Sequence, residues 1–195
     1  YPDPGNGDYT AIIDQRSWER LHATVDDAKE KGARIIELFD RWDIDPSRRL
    51  MAPKIVLDVD DSMEIMQREV FGPLLPIKTY RDPAEVIDYI EARPRPLAFY
   101  VYTKDKMLAD WYINHTMSGG VSVNDGLIHA ALHDLPFGGV GNSGMGHYHG
   151  REGFMTFSKL RPVFYQGPLR AMDLLMPPYD GLPTKMINFM LKKNS

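Results

Sequence analysis

The sequence contains no cysteine. That excludes a thiol nucleophile, a disulfide scaffold and a zinc–thiolate site built from this chain. No apolar run approaches the roughly 18–20 residues that a membrane-spanning helix needs. The opening Tyr1-Pro2-Asp3-Pro4-Gly5 has neither the basic nor the apolar region of a signal peptide. An initiator methionine is missing as well, so the chain is read as processed, trimmed or cut from something larger. Basic excess is also lacking: 23 Lys and Arg face 27 Asp and Glu, a formal net charge of −4, which disfavours nucleic acid as a partner. The expected setting is cytoplasmic, with no membrane partner. No Gly-Lys-Ser/Thr occurs, so a Walker-type phosphate loop is absent. Gly141-Asn142-Ser143-Gly144-Met145 lacks the second glycine of a serine-hydrolase elbow.

What is present suffices for a buried core. A chain of 195 residues buries roughly 70% of its unfolded surface on folding. Ser17 to Lys31 has the spacing of an amphipathic helix, with Trp18, Leu21, Val25 and Ala28 on one face, Ser17 as cap and Gly32 as stop. Lys54 to Val59 reads as a strand, and Leu74 to Tyr80 as a second one that Pro76 confines to an edge or an end. Asp82-Pro83-Ala84-Glu85 is a helix start, with a capping aspartate, an early proline and a glutamate three positions on. That helix carries Val86, Ile87 and Ile90 inward and stops before Pro94. Leu97 to Tyr102 is a third strand. Thr103 to His115 is a helix with Met107, Leu108, Trp111 and Tyr112 on one face, and Val121 to Val123 is a fourth strand. Strands alternating with helices predict a layered α/β fold. From Arg170 the composition turns to scattered Met, Leu and Pro, with a short helix over Met186 to Lys192.

Three segments could carry chemistry. The first runs from Leu135 to Gly146, where Gly138, Gly139, Gly141, Gly144 and Gly146 crowd together. Gly139-Val140-Gly141-Asn142-Ser143-Gly144 matches G-x-G-x-x-G formally, yet His133-Asp134-Leu135-Pro136 before it is not a buried strand. About 20 positions on, where an acidic residue belongs, stand Phe164, Tyr165 and Gln166. The other reading is a tight loop that passes close to a ligand or another strand. The second segment holds His129, His133, His147 and His149. His129 and His133 have the spacing of two zinc ligands on one helical face, with Asp134 as a third, but no intervening glutamate. They can equally be loop histidines that bond backbone or line a pocket. The third is Glu69-Val70-Phe71-Gly72-Pro73, a turn that can present a carboxylate and an aromatic ring together. A carboxylate can accept two hydrogen bonds from a sugar diol, and the ring can pack on a planar heterocycle. Alternatively Phe71 is simply core.

Together these segments resemble the C-terminal third of the aldehyde dehydrogenase superfamily. Glu69-Val70-Phe71-Gly72-Pro73 is similar to the family's Glu-Ile-Phe-Gly-Pro motif. Ser118-Gly119-Gly120-Val121-Ser122-Val123-Asn124-Asp125, followed by Leu135 to Gly146, resembles the class 3 branch. The resemblance runs from about Asp8 to Lys159. Arg93 to Ala98, Gly146-His147-Tyr148-His149-Gly150 and Pro177-Pro178-Tyr179 are further similar to bacterial coniferyl-aldehyde dehydrogenases.

The resemblance implies an NAD- or NADP-dependent oxidation of an aldehyde to its acid. In the family a cysteine thiolate attacks the carbonyl, amides hold the oxyanion, hydride passes to the nicotinamide, and a glutamate-activated water releases the acid. By resemblance, Glu69 holds the nicotinamide-ribose hydroxyls and Phe71 packs beside the nicotinamide. Phe137 lines the aldehyde tunnel, with Ile128, Ala131, Tyr148 and His149 as further pocket residues. Residues 1–160 correspond to the C-terminal part of the catalytic domain, and 161–195 to an interface strand and tail. Lys159 to Gln166 resembles the family's late strand near the subunit interface, so a homodimer is expected. The family's nucleophilic cysteine, catalytic glutamate, oxyanion asparagine and dinucleotide-binding domain have no counterpart here. No catalytic residue is therefore assigned to this chain, which is expected to be inactive alone. The same pattern also fits a non-catalytic interaction module derived from that fold, or a zinc-binding protein.

Overall fold

In the computed structural model, residues 7–39, 46–170, 172, 176–177, 179 and 181–193 are described. The opening Tyr1 to Gly5 and the Pro178 of the late Pro-Pro-Tyr lie outside them. The chain divides into two units, Tyr1–Tyr89 and Ile90–Ser195.

The first unit is built around helix α1 (Gln15–Glu30). Its cap is Asp14 rather than Ser17: the Asp14 carboxylate accepts the Ser17 N–H at 2.6 Å, so Ser17 is already inside the first turn. Gly32 leaves the helix at φ +95°, the left-handed stop expected of glycine. Leu21, Thr24, Val25 and Ala28 form the buried stripe, and Trp18 is half-buried beside it. Against that stripe lies a three-stranded sheet of order β1-β2-β3. β1 (Arg34–Glu37) runs antiparallel to β2 (Lys54–Leu57), and β2 runs parallel to β3 (Leu74–Pro76). Proline ends the edge strand β3, as its missing N–H requires. On β2, Val56 is fully buried and Lys54 nearly so. Glu37, directly opposite Lys54 in register, accepts from its ammonium. The short α2 (Glu64–Gln67) packs on α1, and Met63, Ile65 and Leu74 complete the core. Helix α3 (Pro83–Glu91) starts with the predicted capping box. Asp82 Oδ1 accepts from the Ala84 N–H at 2.9 Å, and Glu85 accepts back from the Asp82 N–H at 3.3 Å. Ile87 is its buried residue, with Val86 and Ile90 half-covered.

The second unit contains a two-stranded parallel sheet, β4 (Ala98–Val101) and β5 (Gly120–Val123), joined by α4 (Lys106–His115). Asp105 caps α4 through the Met107 and Leu108 N–H groups, so the helix starts three residues later than predicted. Its buried face is Ala109 and Tyr112, not the predicted four: Met107 is 83% exposed, and Leu108 and Trp111 are half-buried. A one-turn helix, α5 (Ile128–Ala131), follows β5. After the glycine-rich loop come α6 (Gly150–Thr156) and α7 (Leu182–Lys193), the latter one turn longer than the Met186 to Lys192 prediction. Lys159 to Gln166 is not hydrogen-bonded into a sheet within the described residues. A strand there needs a partner strand, and Phe164 and Tyr165 stand 84% and 88% exposed.

Candidate active site

The turn at Glu69 to Pro73 belongs to the first unit, and helix α1 holds it from beneath. Arg20 Nη2 donates to the Val70 carbonyl at 2.8 Å. A Cβ added at Gly72 would lie 2.5 Å from Leu21 Cδ1, so the turn presses directly on the core with no side chain between. On its far side the Lys54 N–H of β2 bonds the Pro73 carbonyl at 2.9 Å. These supports hold Phe71 at φ +45°, a left-handed conformation that strains a bulky residue by about 1–3 kcal/mol. The strain turns the ring outward: Phe71 is 77% exposed, so it is not core. Glu69 is exposed too, and its carboxylate meets no hydrogen-bonding or ion-pairing partner among the described residues. An open carboxylate and an open aromatic ring thus share one rigid turn.

The other predicted site residues lie in the second unit, where the glycine-rich segment shapes their surroundings. A Cβ at Gly138 would stand 2.1 Å from the Gly146 carbonyl oxygen, and one at Gly119 would stand 2.1 Å from the Gly138 carbonyl oxygen. The loop therefore lies backbone-to-backbone against the start of β5 and against its own return, the close approach that so many glycines suggested. A 3₁₀ turn over Gly141–Ser143 closes it, with the Val140 N–H donating to Ser143 Oγ at 2.9 Å. Nothing here follows a buried strand and opens a helix, as a dinucleotide-binding fingerprint would.

Phe137 and Tyr148 pair across this loop through two 2.9 Å backbone hydrogen bonds in an isolated antiparallel bridge. Their rings meet edge-on at 5.7 Å. His149 stacks near Phe137 at 6.1 Å and meets Tyr148 edge-on at 4.5 Å. It sits at φ +78° where α6 begins, a strained non-glycine beside the predicted pocket. Phe137 and Tyr148 line a cavity of about 390 Å³ together with the glycine loop, Leu97 and Phe157. Ile128 and Ala131 sit exposed on α5, and neither they nor His149 line that cavity.

The histidines do not follow the spacing rule. Leu132 turns extended and ends α5 at Ala131, so His129 and His133 do not share a helical face. His133 instead meets the His149 ring at 5.2 Å, while His129 points to β5. Among the described residues no group of three or more His, Asp or Glu is placed to hold a metal ion.

His129 is the residue that sequence reasoning underrated. It is 7% exposed, shares a 3.0 Å hydrogen bond between Nδ1 and Ser122 Oγ, and leaves Nε2 buried without a partner. The available signal lay in β5: Gly120 and Ser122, two apart on one strand face, leave room for a large ring. At the end of β5, Asn124 (φ +58°) bonds the Thr103 N–H and carbonyl through its amide, each at 2.9 Å, and so prolongs the sheet by a side chain.

A model of the aldehyde dehydrogenase family matches residues 2–163. A probable coniferyl aldehyde dehydrogenase of Pseudomonas aeruginosa is 46% identical over 182 residues, which is 93% of this chain and 37% of that protein. A dimeric NADP-preferring aldehyde dehydrogenase of Rattus norvegicus is 42% identical over 92% of this chain and 38% of its own length. Among solved structures, the substrate-bound state of a Staphylococcus aureus AldH superposes with a TM-score of 0.76 at 36% identity, covering 94% of this chain and 39% of that one. A double mutant of the Staphylococcus aureus betaine aldehyde dehydrogenase in complex with NAD+ gives 0.68 at 28% identity, covering 77% and 30%. The chain spans about two-fifths of the length of the curated relatives it matches.

Proposed function

Because this chain belongs to the aldehyde dehydrogenase family, we propose that it forms the C-terminal part of an NAD- or NADP-dependent enzyme. That enzyme oxidises coniferaldehyde or another aromatic aldehyde to its carboxylic acid. The observation that carries the reading is the Glu69 to Phe71 turn, a strained and rigidly supported loop that exposes an unpaired carboxylate beside an aromatic ring. These groups fit the cofactor's chemistry: Glu69 accepts hydrogen bonds from a ribose diol, and Phe71 offers its face to a planar ring. When bound, the nicotinamide supplies the hydride acceptor. Glu69 and Phe71 orient it, and the stiffness of their turn keeps that orientation.

Phe137 and Tyr148 supply an aromatic wall suited to a flat apolar aldehyde, and His149, Ile128 and Ala131, which do not line that cavity, are proposed to meet the substrate outside it. The chain has no cysteine, so the attacking thiolate comes from outside this sequence and the chain alone turns over no aldehyde. Residues 1–160 serve as part of the catalytic domain, and 161–195 as interface strand and tail. The exposed Phe164 and Tyr165 on an unpaired segment support a homodimer, as does the word "dimeric" in the name of the rat relative. The proposal sets the enzyme in the cytoplasm, and no described helix is long and apolar enough to cross a membrane.

The test uses the complete dehydrogenase that carries this chain. Glu69→Gln is expected to slow single-turnover hydride transfer at saturating NAD by about tenfold, through poorer cofactor positioning. An unchanged rate removes Glu69 from the role. The isolated chain, assayed with benzaldehyde or coniferaldehyde plus NAD or NADP, is expected to give no turnover above buffer.

A further inference from the structure

The His129 imidazole sits on a sheet surface made to receive it. Ser122 pairs with Tyr100 in the β4–β5 register, and Gly120 lies two residues earlier on the same face of β5. Each of the three meets the ring. Ser122 Oγ shares the 3.0 Å bond with Nδ1, and Tyr100 meets the ring edge-on at 5.8 Å. At Gly120 a Cβ would stand 2.6 Å from His129 Cδ2 and 2.9 Å from Nε2. Only a bare α-carbon leaves that space open. On its other side, the ring lies 5.8 Å from Phe137. Phe137 lines the cavity and carries the contacts to Tyr148 and His149. His129 is thus the buried piece between the sheet and the aromatic wall, and it does not itself line the cavity.

We propose that His129 is a positioning residue for the aldehyde site. Clamped to β5 through Ser122, it sets where the Phe137 ring stands, and through Phe137 it sets the width of the tunnel and the choice of aldehyde. This rests on the aldehyde-site reading above. A mislaid ring at a substrate wall changes fit more than chemistry, so the effect falls on KM for wide substrates. Ser122→Ala removes the bond and leaves the ring. His129→Asn removes the ring and leaves an amide within reach of Ser122.

The test compares both variants in the complete dehydrogenase, with coniferaldehyde and propanal as the wide and narrow substrates. His129→Asn is expected to change the ratio of their kcat/KM values about tenfold, carried by KM for coniferaldehyde. Ser122→Ala should shift the ratio the same way, about threefold. A purely structural role would lower both kcat values by one common factor and leave the ratio and both KM values alone. A ratio within twofold of the unsubstituted enzyme in both variants overturns the proposal. Should His129→Asn fail to fold, Ser122→Ala decides alone.

A readout independent of turnover separates this inference from the functional reading. With 4-fluorophenylalanine at position 137, Ser122→Ala is expected to shift the fluorine resonance, and an unmoved line overturns the coupling. If the unsubstituted enzyme oxidises neither aldehyde, the functional reading fails while the fluorine measurement still decides whether His129 positions Phe137.

Discussion

The two units hold themselves together by different means. In the first, Leu21, Met51, Val56 and Met63 are fully buried in one apolar cluster, and the Glu69 to Pro73 turn rests on it. In the second, the buried apolar residues among those described are Val101, Ala109 and Tyr112. The second unit is shaped instead by glycines in backbone contact, a buried Ser122–His129 bond and a bridge between Phe137 and Tyr148. It leaves Phe154, Phe157, Phe164 and Tyr165 open to solvent. A side-chain core tolerates a changed residue by repacking, whereas backbone contact has nothing to repack. The Glu69 to Pro73 turn is therefore held by stability, and the Phe137–Tyr148 wall by geometry.

The strongest way to break that contrast is Leu21→Ala. Removing a fully buried leucine should destabilise by about 2–5 kcal/mol. Native-state hydrogen exchange is expected to show the loss in α1 and β2. Equal loss throughout β4 and β5 would show that the two regions melt as one. Gly119→Ala tests the second region, because its methyl would have to displace the Gly138 carbonyl. Overpacking of this kind costs about 1–3 kcal/mol, and aldehyde turnover is expected to fall by more than the melting temperature suggests. A fully active Gly119→Ala enzyme would show that the loop yields.

The gentlest probe is acid. Asp14 is held below the ordinary carboxylate value of 3.8 by the Ser17 N–H and hydroxyl, and Asp27 by Lys31 and then by the Glu64 N–H. Asp60 is lowered by the Ser62 hydroxyl and N–H. A carboxylate with a lowered folded pKa contributes stability above its unfolded value, and that contribution fades as pH falls through the lowered folded one. All three residues lie in the first unit, so its helix ends should loosen first below pH 3.8. An Asp14→Asn, Asp27→Asn, Asp60→Asn variant should show a flatter melting profile over that range. A profile unchanged from the unsubstituted protein would remove these caps as the acid-sensitive points.

Much of this scaffold was legible from local chemistry. α3 followed from a capping box that needs only Asp82, Pro83 and Glu85. β2 and β5 followed from short β-branched runs, and β4 from the aromatic-rich Leu97 to Tyr102. β1 did not, because Arg34 to Glu37 alternates too weakly, with Ile35 alone half-buried, and becomes a strand only through its ladder with β2. The start of α1 moved from Ser17 to Asp14 because either residue can cap and only the path of the chain into the helix decides. At the site, the pairing of a carboxylate and an aromatic on one turn was readable, but the left-handed Phe71 was not, since that strain is imposed by Arg20 and Leu21 from a distant helix. The same holds for His129, whose burial depends on which face of β5 Gly120 and Ser122 occupy.

The backbone contact at Gly119 and Gly138 also bears on how the proposed aldehyde site could be re-engineered. Where Gly119 meets Gly138 there is no side chain to trim, so the distance between loop and sheet at that point cannot be tuned by ordinary substitution. Variation that keeps the frame falls on the side chains mounted on it, such as Phe137, Met145 and Tyr148. A library aimed at a new aldehyde should randomise positions 137, 145 and 148 and leave every glycine between them untouched.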